Sequence, residues 1–289
     1  MDLSRLGRRS FISQSGIAEV LAAVKDAGEL PEGISRSSVK RKRQQAVDVT
    51  TPYGKLLQQW EFDLTNGGKA RVYYSTPAAA VYHSSKSSGM NRLLSEKLLK
   101  HPCNLGSEWE IVVYLDEVAP GNQLKSDNRR KLWCLYYSFL QFDDHLSKEL
   151  AWFVLATVRA ELVQQLKGGV SELVRRALWT FHSGVGNFSN GIQLHSSKVL
   201  FGRIAMLLGD EAALKAALEC KGAAGKVLCF RCQTTLQKRY ASNDLAEPWV
   251  LHTCTDSAKF RLHSNESVWK TVDLLAARSR TETKERLPA

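Results

Sequence analysis

The chain has 289 residues, and a hydrophobic fraction of 44% gives it enough apolar material for one large globular domain or two smaller ones. Lysine and arginine number 40 against 29 acidic residues, and the resulting formal charge of +11 favours an anionic partner such as nucleic acid. The sequence has no apolar run long enough to cross a membrane and no signal-peptide pattern, so we expect an intracellular protein with no membrane partner.

The first 50 residues predict a basic helix and linker. Residues 11–29 carry apolar side chains at helical spacing, and this pattern ends in a stretch that contains glycine and proline. A run of four cations follows, consisting of Lys40, Arg41, Lys42 and Arg43. Such a run indicates either a nuclear-localisation or phosphate-contacting patch, or a solvated charged linker. The first interpretation predicts a nuclear protein.

Residues 51–104 predict a small region of mixed secondary structure. Strand-like segments at 60–64 and 71–74 are separated by Asn66-Gly67-Gly68, an arrangement typical of a β-hairpin. A helix is predicted over residues 90–100. The hairpin itself carries no chemical motif.

The centre of the chain begins with a strand that ends in acidic residues. Residues 111–118 are apolar or β-favouring up to Asp116 and Glu117, and the chain breaks at Pro120 and Gly121. Asp116 is therefore expected at the carboxyl end of a buried strand.

Further strands and helices follow this break. The pattern predicts strands over 131–142 and 151–158, a helix over 171–181, a strand over 199–208 and a helix over 212–219. The first three strands would form an antiparallel meander, although residues 150–166 also fit a helix. The apolar run over 199–208 is typical of a central strand.

Aspartates end two of these predicted strands. If strand one and strand four lie side by side in parallel, Asp116 and Asp210 reach the same edge of the sheet. Two such carboxylates would hold Mg²⁺ or Mn²⁺ ions roughly 3.5–4 Å apart for phosphoryl transfer. Structural roles stay open for both, because Asp116 also suits a strand end and Asp210 also suits a helix N-cap.

Three segments of the central region carry the motifs of a known family. They are residues 114–124 with the aromatic run at 131–140, the acidic block at 208–215, and the cysteine-bearing segment at 220–232. Together they resemble eukaryotic DDE transposases of the Kyakuja-Dileera-Zisupton and Plavaka type. The resemblance spans about residues 105–270.

This resemblance implies an α/β fold of the α+β kind, with an RNase H-like mixed sheet and flanking helices over 105–220. It also implies a cysteine-bearing insertion over 221–277. We expect that a disordered tail over 278–289 follows this insertion.

The implied function is DNA binding and Mg²⁺- or Mn²⁺-dependent phosphoryl transfer in transposition, with Asp116 and Asp210 as catalytic metal ligands. The alternative is a non-catalytic nucleic-acid-binding or interaction module derived from a transposase. The residues expected to contact nucleic acid are all basic: Lys40, Arg41, Lys42, Arg43, Arg129, Arg130 and Lys131.

Two features depart from the family pattern. Gln123 stands where the family usually has proline, which changes the turn only slightly. The third acid of the family is expected on a helix beyond the cysteine segment, where Glu266 and Glu282 follow no recognisable fifth strand. We therefore expect a truncated or decayed transposase-derived chain that lacks full catalytic activity.

The cysteine segment predicts a zinc site. Cys229 and Cys232 have the spacing of a zinc knuckle, and Cys220 with either Cys254 or His252 would complete a tetrahedral set for Zn²⁺. Free cysteines in a small core, or a redox-active pair, are the alternatives.

Overall fold

The computed structural model describes residues 48–119 and 131–219 without interruption. Outside these ranges it describes Ser37, Arg41, Gln44, Gln45, 235–236, 250–251, Ala258, 262–270 and Asp273. The chain divides into two compact units, Met1–Asp210 and Glu211–Ala289. The predicted helix over 11–29 and the predicted tail over 278–289 lie outside the described residues.

The first unit holds the main elements of secondary structure. Its strands are β1 (Thr50–Thr51), β2 (Gly54–Lys55), β3 (Leu57–Asp63), β4 (Lys69–Ser75), β5 (Trp109–Val118), β6 (Leu132–Phe139), β7 (Phe153–Arg159), β8 (Ile192–Gln193), β9 (Val199–Leu200) and β10 (Gly202–Gly209). Its helices are α1 (Pro77–Ser84), α2 (Ser88–Lys100), α3 (Ala160–Gln165) and α4 (Gly169–Thr180). Short 3₁₀ segments cover Leu140–Ser147, Glu149–Ala151 and Phe188–Asn190.

The second unit is described only in part. It contains α5 (Glu211–Ala217) and the parallel pair β11 (Thr235–Leu236) and β12 (Val250–Leu251). Residues 265–270 are helical. In the described parts of both units, no helix has the length and apolar character needed to cross a membrane.

Six strands of the first unit form one mixed sheet in the order β10-β5-β6-β7-β4-β3. The three central strands β5, β6 and β7 run antiparallel as a meander, and the hairpin β3–β4 extends the sheet through an antiparallel pairing of β4 with β7. Strand β10 lies on the other side and runs parallel to β5. The predicted region 51–104 therefore contributes two strands to the same sheet as the predicted core.

The pairing of β10 with β5 contains a bulge. Ile204 pairs with Ile111 and Met206 pairs with Val112, so Ala205 is an extra residue of β10. From this point to the end of the strand the register stays regular, and Gly209 pairs with Leu115. A β-bulge re-aims the residues that follow it.

The structure confirms an α/β protein with a mixed sheet, and it confirms the predicted hairpin and meander. Residues 150–166 combine both predicted alternatives, because β7 is followed directly by α3. The expectation that 199–208 forms a central strand is wrong within the described sheet. The run splits into β9 and β10, and β10 is the outermost of the six strands, with Met206 41% exposed.

One face of the sheet carries the hydrophobic core of the first unit. Alternate residues of β5 and β6 are buried on this face, because side chains along a strand point to opposite sides. Tyr137 of β6 stacks on Phe153, meets Phe181 edge-on at 5.1 Å between ring centroids, and donates a hydrogen bond to the Pro77 carbonyl. These contacts fix the loop after α4 and the start of α1 against this face.

Asp143 joins helix α2 to the 3₁₀ segment after β6. Its carboxylate oxygen Oδ2 accepts hydrogen bonds from Lys97 at 3.2 Å and Lys100 at 2.8 Å, and lies 3.2 Å from His101 Nε2. Lys100 first, and then His101 and Lys97, hold the pKa of Asp143 well below its usual range. Its φ of 49° is unusual for a residue other than glycine, and these contacts oppose its relaxation.

We expect Asp143→Asn to lower the melting temperature at neutral pH. The Lys97 side chain is only 6% exposed, and a buried ammonium that loses its carboxylate partner is costly. Because the folded-state pKa of Asp143 is lowered, its contribution is fully present above the ordinary carboxyl pKa of about 3.9 and is lost as the pH falls further. Thermal melts of the variant should therefore decline less between neutral and acid pH than melts of the wild type.

Asp144→Asn is the matched control, since Asp144 is the exposed neighbour in the same segment. Equal losses of melting temperature in the two variants would contradict the role given to the Asp143 contacts.

Candidate metal site at the edge of the sheet

Asp116 and Asp210 are brought together by the parallel pairing of β5 and β10. Asp116 lies two residues before the end of β5, and Asp210 directly follows β10. Leu208 pairs with Tyr114 and Gly209 with Leu115, so the next step of the register places Asp210 beside Asp116. Neighbouring strands lie about 4.8 Å apart, and both aspartates therefore occupy the carboxyl ends of adjacent strands.

Tyr114 lies on the same face of β5 as Asp116, two residues earlier. Its hydroxyl donates a hydrogen bond to Asp116 Oδ2 at 3.2 Å. Burial raises the pKa of Tyr114, and the negative charges of Asp116 and Asp210 raise it further. Both carboxylates thus act on one phenol, and the hydrogen bond restrains the Asp116 side chain.

Cys134 lies directly across from Asp116 on β6 and is buried. Burial raises the pKa of the Cys134 thiol, and the Asp116 charge adds to this effect while a hydrogen bond with Tyr136 opposes it. Burial also raises the pKa of the neighbouring Tyr136 to about 12. Cys134 is buried, whereas Asp116 is partly exposed and Asp210 is exposed, so the accessible donors at this edge are carboxylate oxygens.

The donor set suits a hard divalent cation. Mg²⁺ is commonly held by one or two carboxylates, with water and substrate phosphates completing its shell, and Mn²⁺ accepts the same ligands. Across the described ranges, no three His, Cys, Asp or Glu side chains gather into a group able to hold a metal ion. Asp116 and Asp210 supply a pair of carboxylates, which is a number of protein ligands that Mg²⁺ or Mn²⁺ can use.

The residues considered for the third acid lie in the second unit. Glu266 falls in the helical stretch 265–270 and is exposed, and Glu282 lies outside the described residues. Glu117, next to Asp116, forms an ion pair with Lys131 at 2.9 Å. Glu117 is thus already paired with Lys131, the residue that directly precedes β6.

The basic residues predicted to contact nucleic acid are described only in part. Arg41 is exposed and in helical backbone, and Lys131 is the partner of Glu117. The remaining predicted contacts lie outside the described residues, namely Lys40, Lys42, Arg43, Arg129 and Arg130.

The predicted zinc ligands also lie outside the part of the chain that the structure describes. They are Cys220, Cys229, Cys232, Cys254 and the alternative ligand His252. The two described cysteines, Cys103 and Cys134, are free thiols.

The sequence predicted that Asp116 and Asp210 lie at the ends of adjacent parallel strands, but it did not predict the residues around them. Tyr114 was recognisable in principle, because a residue two positions before Asp116 in a strand must share its face. Cys134 and Tyr136 required the register between β5 and β6, which the sequence does not specify. A comparison with protein-family models found no match, and a search of curated proteins found no significant match either.

We expect Asp116→Asn and Asp210→Asn each to lower the pKa of Tyr114, since each removes a nearby negative charge, and the effect of Asp116→Asn should be the larger. The pKa is measured by NMR titration of tyrosine labelled at Cζ, with Tyr114→Phe to assign the signal. Asp63→Asn, in the distant strand β3, is the control and should leave the titration unchanged. An unchanged Tyr114 pKa in Asp210→Asn would show that the two carboxylates do not share a site.

Proposed function

We propose that this protein is a transposon-derived, DDE transposase-like protein that binds DNA and supports metal-dependent phosphoryl transfer at Asp116 and Asp210. The observation that carries the proposal is the parallel pairing of β10 with β5, which sets the two aspartates side by side at one end of the sheet. We propose DNA as the partner and the nucleus as the place of action.

The topology of the first unit supports this proposal. A three-stranded antiparallel meander, followed by a helical crossover and a strand that returns parallel to the first, is the arrangement expected of an RNase H-like core. Strands β5, β6, β7 and β10 follow this order, and helices α3 and α4 lie in the connection between β7 and β10. Strands β3 and β4 extend the sheet beyond such a core.

The charge of the chain is in keeping with a DNA partner. A formal charge of +11 favours contact with phosphates, and the cation run that includes the exposed Arg41 suits the same partner and nuclear import. The acidic pair at Asp116 and Asp210 would repel phosphates unless a cation is bound there. A divalent cation bound at the acidic pair would remove this repulsion and let a phosphate approach.

A bound Mg²⁺ or Mn²⁺ ion would activate the attacking oxygen and stabilise the leaving oxygen of the phosphodiester. The protein groups supply the fixed negative charge that holds the ion at the edge of the sheet. Tyr114 would restrain Asp116 in this role through its hydrogen bond.

A second candidate is a nucleic-acid-binding or interaction module that has kept the sheet and lost the chemistry. It is favoured by one observation, namely that no third carboxylate joins Asp116 and Asp210 within the described residues. Such a module would bind DNA with an affinity that falls steeply between about 50 and 200 mM salt, and it would leave the DNA intact.

The decisive experiment is a nicking assay on supercoiled plasmid with the full-length protein in Mg²⁺ or Mn²⁺. The phosphoryl-transfer proposal predicts nicking by the wild type, which would contradict the expectation from the sequence that full catalytic activity is lost. It also predicts a loss of about a hundredfold or more in Asp116→Asn and Asp210→Asn, because even residues that only support metal ligands cost 10–100-fold when changed. Asp63→Asn serves as the control. Salt-dependent binding without nicking would leave the second candidate, and a binding affinity independent of salt would exclude both.

The proposed zinc site is tested separately by metal analysis of protein expressed without a tag. We expect about one equivalent of Zn²⁺ per chain, with loss of the metal in Cys229→Ser and Cys232→Ser. Cys103→Ser is the control, since the Cys103 thiol forms hydrogen bonds with the Phe201 backbone in the first unit. Less than about half an equivalent in the wild type would rule the site out.

A further inference from the structure

We propose that the site selects unpaired nucleic acid, because an aromatic and apolar band on the sheet beside Asp116 and Asp210 offers a surface on which bases can stack. The inference rests on the proposed function and narrows its substrate class from DNA in general to a single-stranded segment.

The aspartates belong to one row of residues across the sheet. Asp116 pairs with Cys134 of β6, and Cys134 pairs with Thr157 of β7. Asp210 continues the row on β10. The Asp116 and Cys134 side chains point to the face opposite the hydrophobic core, because Leu115 and Leu135, their neighbours in sequence, are fully buried on the core face.

The next row inward forms the band. Leu208 pairs with Tyr114, Tyr114 with Tyr136, and Tyr136 with Val154, so one residue from each strand contributes. Leu208 is 37% exposed and Val154 is 51% exposed, and the two tyrosines between them are half-buried. The band is thus open to solvent at both ends and lies directly beside the carboxylates.

Its aromatic rings form a continuous group. The Tyr114 ring lies 6.3 Å from Tyr136 and 6.2 Å from Trp152, measured between ring centroids. The indole nitrogen of Trp152 donates a hydrogen bond to the Leu146 carbonyl at 2.8 Å, and the Tyr114 hydroxyl is held by Asp116. These polar anchors fix the rings in place, which lowers the entropy cost of stacking a ligand on them.

The row of this face that lies further from the aspartates is covered by other parts of the protein. One row further inward, Val112 and Ser138 are fully buried, and the Ser138 hydroxyl donates a hydrogen bond to the Ala151 carbonyl. The 3₁₀ segments after β6 therefore contact this face beside the band, and Trp152, which follows them, reaches Tyr114. Val154, Thr157 and Leu208 are exposed on this face, whereas Cys134 between the strands' exposed positions is buried.

Nucleic acid with unpaired bases matches this combination of groups. In a duplex the faces of the bases are stacked on one another, whereas a single strand offers them to aromatic side chains while its phosphates stay charged. A cation at Asp116 and Asp210 would attract a phosphate one row away from the rings. Arg159, exposed at the end of β7, adds positive charge at the same end of the sheet.

The test measures binding of the full chain to a short fluorescein-labelled oligothymidylate and to a duplex of equal length, in Ca²⁺ so that the DNA stays intact. We expect the single strand to bind at least about tenfold more tightly than the duplex, in line with the gain from stacking a few bases. Val154→Glu should remove most of this preference, because it places a negative charge in the band at a position where the side chain is exposed and folding is not at risk.

Val185→Glu is the matched control. Val185 is 81% exposed in the loop after α4 and lies away from the band, so this variant adds the same charge and should keep the preference. Tyr136→Ala, checked for folding by its thermal melt, removes a ring from the centre of the band and should weaken single-strand binding more than duplex binding.

Equal affinity for the two DNA forms, or equal effects of Val154→Glu and Val185→Glu, would overturn the inference. Terbium luminescence, sensitised by the nearby tyrosines and abolished in Asp116→Asn, reports cation binding independently. A cation site without single-strand preference means that the inference fails while the cation site of the proposed function stands. Loss of both signals means that the proposed metal site fails as well.

Discussion

The parallel pairing of β10 with β5 is the constraint on which the candidate site depends. In a meander, the carboxyl ends of neighbouring antiparallel strands lie at opposite ends of the sheet. Residues that follow two such strands therefore cannot lie side by side. A parallel neighbour allows this, but it requires a crossover connection, which α3 and α4 provide in this chain. The long segment between β7 and β10 is therefore what allows Asp210 to meet Asp116.

Local patterns in the sequence predicted much of the sheet and both aspartates. The hairpin β3–β4 and the strands β5, β6 and β7 have clear apolar patterns with turn residues between them, and these signals are local. The position of β10 was not predictable in this way. Its apolar run suggested a strand buried on both sides, whereas Met206 and Leu208 form a half-exposed edge, which depends on what the rest of the fold leaves uncovered.

Contacts between side chains of different strands also could not be predicted from local sequence patterns. Cys134 faces Asp116 only because of the register between β5 and β6, and a shift of one residue would move it to the core face. The cluster at Asp143 joins residues of α2 to a 3₁₀ segment whose backbone is strained, and neither feature has a sequence signature. Sequence reasoning thus located the acidic residues but not the groups that hold and restrain them.

The bulge at Ala205 makes the site depend on strand length as well as on residue identity. Before the bulge Ile204 faces Ile111, and an unbroken count from that pair would bring Asp210 opposite Glu117. The extra residue moves the count by one and brings Asp210 opposite Asp116 instead. A β10 strand that paired with β5 without this bulge would keep both aspartates in the chain and still place Asp210 opposite Glu117, so in related chains the bulge is as informative as the acid itself.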